Sequence, residues 1–302
     1  MSQVSPQNPG LLNWILVSSL GIIWGAAFMS VSLSLDGYPP WTVSAARVGI
    51  ASIVLTALGS AMGQSLRTIP SARAWFYVAM IGLGSTALPM SMLSWGQQFV
   101  PSAFAGVAMG AVPLLVLPLV YVFSPEEGIG PRRIIGIVLG FVGLYILIGP
   151  NATEAAGHPF EPYGRLACIA AAACYATGSV ITRRAPAMPP IAFASASMIV
   201  AATALVPAAL VLEGWPQEFP VGPSVALLYA ALLPTALAAI IRVRVITTAG
   251  SVFMSITSYM VPVWSVIFGA SLMNETLPSQ LFAALGIILT GIAISQSRRK
   301  SR

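Results

Sequence analysis

Apolar residues run along this chain in ten long blocks, near 12–34, 40–62, 74–95, 102–123, 131–149, 164–182, 190–212, 223–243, 250–272 and 278–296. Polar and charged residues collect between them. Each block is long enough, or nearly so, to cross about 30 Å of hydrocarbon as a helix rising 1.5 Å per residue. The pattern predicts an all-α integral membrane protein of ten transmembrane helices. The connections are short. Only 150–163 and 213–222 have some length, and no separate soluble domain stands between blocks. The first block exceeds a usual signal-peptide core and residues 1–11 hold no Lys or Arg, so it is expected to be retained as a span.

Composition agrees. Charged residues make up 7% of the 302 residues, against about 25% in ordinary soluble domains. Hydrophobic residues reach 57% and the mean hydropathy is +0.87. The net charge of +6 could suggest a nucleic-acid partner, but its placement points to topology. With the N-terminus inside, the inner connections hold Arg67, Arg73, Arg132, Arg133, Arg183, Arg184, Arg242, Arg244, Arg298, Arg299, Lys300 and Arg302, twelve in all. The outer ones hold Arg165 alone, and Arg47 lies within a span. That bias predicts both termini in the cytoplasm. Cys168 and Cys174 share one block six residues apart, too far round a helix for an intrahelical disulfide.

The chain repeats itself. Shifted by 149 residues, SAFAGVAMGAVP (102–113) falls on SVFMSITSYMVP (251–262), and Glu126 falls on Glu275. One residue further, GIVLG (136–140) falls on GIILT (286–290), and PPW (39–41) on PPI (189–191). Two five-helix halves follow, 12–149 and 164–296. Five is odd, so the second half is inverted in the membrane. Inverted repeats characterise secondary transporters, with the site between the halves near mid-membrane.

The residues resemble a known family at this point. WGAAF (24–28), AARVGIAS (45–52), SPEEGIGPRRIIGIVLGFVGLYIL and MNETLPSQLFAALGIILTGIAI together resemble the EamA type of the drug/metabolite transporter superfamily, in its ten-helix form, over about 12–296. The resemblance implies alternating access and export of small metabolites or drugs across the inner membrane. IIRVRVITTAG (240–250) departs from the family pattern: Arg242 and Arg244 stand where neutral or aromatic residues are expected. That leaves the cytoplasmic half of the cavity open, with topology determinants at the membrane surface the simpler reading.

Few side chains are candidates for chemistry. Arg47 lies seven residues inside its block, roughly 10 Å deep, where a charge needs water, a partner or a cavity. It either holds a substrate carboxylate or gates the outer mouth, or else bridges helices through carbonyls and Ser44. Trp24 and Phe28 share a helix face with Ser32, and Tyr175 and Ser179 are their repeat equivalents. They are read as cavity walls against an alternative of lipid-facing packing. Ser251, Ser255, Ser258 and Tyr259 form a polar stripe that glues helices or lines the cavity, Tyr259 being the cavity candidate. Pro89, Pro113, Pro234 and Pro262 are hinges or static kinks. Gly21-x3-Gly25, Gly106-x3-Gly110 and Gly136-x3-Gly140 are read as close helix contacts. Glu126 and Glu275 are read as caps of the fifth and tenth helices.

No block core holds Asp or Glu, the only Lys is Lys300 and the only His is His158, so proton coupling through a buried relay is not expected. There is no phosphate-binding loop for ATP and no metal-ligand cluster, and neither cofactor nor enzyme activity is expected. The partners expected are a small-molecule substrate and the bilayer. The reading is export of small amino-acid-like or carboxylated solutes. Lipophilic drug efflux is its rival, and a non-transporting sensor or assembly subunit is the alternative of another class.

Overall fold

A computed structural model describes residues 10–123, 130–149 and 158–296, and every regular element among them is a helix. Eight long apolar helices come first: α1 (Leu11–Leu35), α2 (Pro40–Ala61), α3 (Ala72–Gly96), α4 (Ser102–Val122), α5 (Pro131–Ile148), α6 (Glu161–Arg184), α7 (Pro190–Leu212) and α8 (Val221–Ala249). The chain then makes one helical turn, Ser251–Met254, and a shorter helix, α9 (Thr257–Ser271), before the ninth long helix, α10 (Ser279–Gln296). Nine helices among the described residues are thus long and apolar enough to cross a bilayer.

The single span expected over 250–272 is interrupted. Ser258 and Tyr259 N–H groups donate three residues back, to Ser255 and Ile256, at 3.0 Å each. Pro262 has no N–H to give the Ser258 carbonyl, and its ring crowds that oxygen, so regular helix weakens one turn upstream. Elsewhere the boundaries follow local chemistry. Pro40, Pro131 and Pro190 occupy first-turn positions where a missing N–H costs nothing. Gly149 and Gly250, at φ of 90° and 88°, end α5 and α8.

Helix pairing obeys a simple exchange. α2 packs on α7, α5 on α10 and α4 on α9; α1 packs on α8 and α9, while α6 packs on α3 and α4. Exchanging each helix for the one five places later leaves these pairings unchanged. Two three-helix groups result, α1–α8–α9 and α3–α4–α6, flanked by α2 with α7 and by α5 with α10. Small residues allow the close approaches. A Cβ on Gly21 or Gly25 would meet Met260 or Trp264 of α9, and one on Gly106 or Gly110 would meet Ser265 or Pro262. Gly136 lies against Ser295 of α10 and Gly140 against Leu114 of α4. The expected glycine pairs therefore do sit at helix contacts.

Gly106→Leu, driving a side chain into α9, should cost more than about 3 kcal/mol and remove most folded protein from a detergent melt. Gly286→Ala, with open space around it, should stay within about 0.5 kcal/mol of the parent. Equal melts for the two would show that the α4–α9 contact is not tight.

Candidate functional site

The two ends of the bundle differ. At the end opposite the start of α1, polar side chains tie the elements together. Glu213, after α7, accepts the N–H groups of Trp41 (3.0 Å) and Thr42 (2.7 Å) and the Thr42 hydroxyl (2.8 Å), so it caps α2. Glu275 does not cap α10, as its position suggested. The loop after α9 carries it across to the first turn of α4, where it accepts from Ser102 (2.6 Å) and Ala103 (3.1 Å). Those free N–H groups and the positive end of α4 attract a carboxylate as well as α10 would. Glu126 lies outside the described residues, as does the Ser251 side chain. Gln97, near the end of α3, donates to the Phe28 carbonyl (2.8 Å) and the Ser32 hydroxyl (2.9 Å) on α1. Arg165 donates to the Ile148 carbonyl and pairs with Glu161, which gives the one basic residue expected outside a structural role.

Gln97 and Glu275 therefore bind the two three-helix groups to each other at this end. At the end where α1 begins, the corresponding half of α4 makes no extended contact with α9, whereas its other half, Ser102–Gly110, packs on α9. Ser179 is exposed although it shares a helix face with the buried Cys168 and Ala172. The two helix groups are thus joined to each other at the face opposite the α1 start and lie further apart at the α1-start face, the arrangement of a cleft open there.

The central chemistry gathers where α8 departs from regular helix. Leu232–Leu237 form a π segment, and its counterpart Leu83–Ala87 lies in α3. Pro234 leaves the Ala230 carbonyl without its usual donor. The Thr235 hydroxyl supplies one at 2.9 Å. The same oxygen accepts from Arg47 Nε at 3.1 Å, and the Pro234 carbonyl accepts from Trp24 Nε1 at 2.9 Å. One bulge thus orients both the arginine of α2 and the tryptophan of α1. Ser44 does not join Arg47: its hydroxyl turns to Ser94 (2.9 Å) and the Met90 carbonyl (3.2 Å) of α3. The terminal nitrogens of Arg47 have no acceptor among the described residues, and the side chain is half-buried rather than sealed.

The residues predicted to line a cavity separate into two sets. Phe28, Tyr175 and Tyr259 pack against one central apolar cluster, and Arg47 lies within electrostatic range of the Tyr175 phenol. Trp24 packs in a neighbouring cluster with Leu20, Ala238 and Val245. The Ser179 hydroxyl returns to the Tyr175 carbonyl (3.0 Å), and Tyr259 reaches Gln296 only at 3.4 Å, close to the Ser255–Gln296 bond of 3.0 Å. Of the prolines, Pro234 lies inside a π segment, Pro89 follows one and Pro113 follows a break at Ala111, while Pro262 sits within continuous helix. Thr235 and Gln97 were not singled out by sequence. A signal existed for Thr235, since STALP (85–89) falls on PTALA (234–238) at the same shift of 149.

A family model described as the EamA-like transporter family matches residues 12–149 and 162–296. The uncharacterized inner membrane transporter YedA of Escherichia coli is 28% identical over 284 residues, 91% of this chain and 88% of that protein. A WAT1-related chloroplast protein of Arabidopsis thaliana is 26% identical over 289 residues, 93% of this chain and 68% of that one. A probable terminal-alkyne amino-acid exporter of Streptantibioticus cattleyicolor is 28% identical over 114 residues, 38% of this chain and 37% of that one. A crystal structure with 22% sequence identity superposes with a TM-score of 0.66, covering 94% of this chain and 96% of that one, and so shares the fold.

With Cys174 replaced by Ala, a cysteine at Ser179 should react with a membrane-impermeant maleimide from the α1-start face alone. A cysteine at the buried Ser94 should stay unreactive from both faces. Labelling of both from the same face would contradict a cleft with one open end.

Proposed function

The chain belongs to the EamA-like transporter family, and from that premise we propose that it exports small amino-acid-like or carboxylated metabolites across the inner membrane by alternating access. One observation carries the substrate class. Arg47 is held through Nε by Thr235 while its two terminal nitrogens lack a protein acceptor among the described residues. A guanidinium so placed presents parallel donors to a carboxylate, which accepts them in a bidentate pair. Arg47 is the charge-binding group in this reading. Phe28, Tyr175 and Tyr259 are the walls, and Trp24 and Ser179 border them. The name of the Streptantibioticus relative, an amino-acid exporter, agrees with that class.

The mechanism follows from the ties between the helix groups. Solute enters the cleft at the α1-start face and meets Arg47. Release on the other side requires Gln97 and Glu275 to let go while the open end closes. The π segments of α3 and α8, with Pro89 and Pro234, supply the bends, and Pro113 follows the break in α4, while Pro262, within continuous helix, supplies none. Two inverted five-helix halves, 12–149 and 164–296, underlie this exchange, and the helix pairing supports them. The basic residues at the α1-start face support a cytoplasmic orientation for both termini.

A second reading is efflux of lipophilic drugs, favoured by the three aromatic walls with no carboxylate in the described helix interiors. Counterflow separates the two. Proteoliposomes loaded with unlabelled neutral, aromatic and basic amino acids should accumulate at least one labelled member of the set. Arg47→Gln should then lower its transport about tenfold, the loss of about 1.4 kcal/mol expected for a charge-assisted hydrogen bond. Thr235→Val should raise the half-saturating concentration in the parent and have no further effect in the Arg47→Gln background. Unchanged transport of a confirmed carboxylate by Arg47→Gln would transfer the weight to drug efflux, where truncating Tyr175 or Trp24 matters more.

A further inference from the structure

Arg242 stands seven residues inside the α1-start end of α8, roughly 10 Å deep, almost a mirror of Arg47 at the other face. Its place round the helix is informative. Ala238 and Val245 mark the seam of α8 buried against Val17, Leu20 and Met254. At about 100° per residue, Arg242 lies about 40° to one side of that seam and Arg244 about 120° to the other. Thr235, which holds Arg47, lies on the Arg242 side. The two arginines therefore part company. Arg244 turns toward the outer surface of the bundle, whereas Arg242 shares the cleft side with the Arg47 site, two turns nearer the open end.

The surroundings of Arg242 agree with that placement. Its side chain keeps exposed surface, as a group on a cleft wall does. It makes no hydrogen bond or ion pair with a described residue, unlike Arg165 with its carbonyl and carboxylate. The described acidic residues Asp36, Glu161, Glu213, Glu218 and Glu275 all belong to the opposite face. A cation at this depth with no counter-charge among the described residues is tolerable where its side chain reaches water and a mobile anion. A surface topology marker would have no need to be so deep.

We propose that Arg242 forms a second oxyanion subsite, in the mouth of the cleft, which takes the carboxylate of an incoming solute or the phosphate of a net-anionic lipid headgroup, uncompensated by a choline, before the Arg47 site. A guanidinium pairs with either group through the same two parallel donors. Two cations along one wall, about 10 Å apart, steer an anion inward and let it pass from one to the next without binding either too tightly. The inference rests on the carrier reading only for its solute source, since access to Arg242 does not depend on what Arg47 binds.

The test is phenylglyoxal modification of the full chain in nanodiscs, followed by peptide mapping at Arg242 and Arg244. In phosphatidylcholine alone, Arg242 should react readily. A mixture of L-glutamate, L-leucine and L-phenylalanine at about ten times half-saturation should slow Arg242 about tenfold and leave Arg244 unchanged, if the source is a solute. Replacing phosphatidylcholine by phosphatidylglycerol should slow Arg242 instead, if the source is a headgroup. Resistance of Arg242 in phosphatidylcholine alone, or one rate in all three conditions, would overturn the subsite. Failure of the Arg47 reading is distinguishable. It leaves Arg47→Gln counterflow intact whether or not Arg242 is protected, while loss of counterflow with unprotected Arg242 condemns this inference alone.

Discussion

In hydrocarbon every peptide N–H and carbonyl must find a partner within the protein, and this requirement organises the molecule. Helices meet it along their lengths and fail at their ends and at proline. The polar side chains that bridge segments are found at those points. Glu213 and Glu275 cover the first turns of α2 and α4. Gln64 accepts the Ile191 N–H at the start of α7, and Thr235 covers the carbonyl that Pro234 strands. What positions Arg47 is thus a by-product of repairing a broken helix. The proline that disrupts α8 creates both the acceptor for Trp24 and the hydroxyl that holds the guanidinium.

The two halves agree in architecture and differ in chemistry. Helix pairing survives their exchange, and each half carries a π segment in its third helix. The counterpart of Arg47 is Ser197, buried, with a hydroxyl that has no hydrogen-bond partner among the described residues. The counterpart of Thr235 is Thr86, also buried. The pseudo-symmetric centre therefore has a charge on one side and a small neutral side chain on the other. The halves thus match in their backbone and differ in the one charge that only the first of them carries at this position.

Most of the helices could be read from the chain, because a span in lipid is defined by length and hydrophobicity, which are local properties. The interruption at Ser255–Ile256 was less visible, since Pro262 lies nearly two turns away and Ser255 itself is a tolerated helix residue. Arg47 was legible as an anomaly, but its partner was not. Which hydroxyl it meets depends on α2 and α8 being packed together, and they are separated by 188 residues. Glu275 misled for a related reason. A carboxylate four residues before the first residue of α10 looks like a cap for that helix, whereas the free N–H groups that it meets belong to α4. Gln97 carried no motif at all, and its importance comes from lying where two helix groups converge.

Reciprocal capping has a consequence for how the protein is made. Thr42 emerges from the ribosome 171 residues before the Glu213 carboxylate that completes its helix, and Ser102 emerges 173 residues before Glu275. The first half therefore enters the bilayer with the starts of α2 and α4 unsatisfied, and Gln64 waits 127 residues for Ile191. Until the second half arrives, those ends must be covered by water at the interface or by the insertion machinery. Neither half can reach its final form alone, and the last strokes of folding are made between segments synthesised far apart in time.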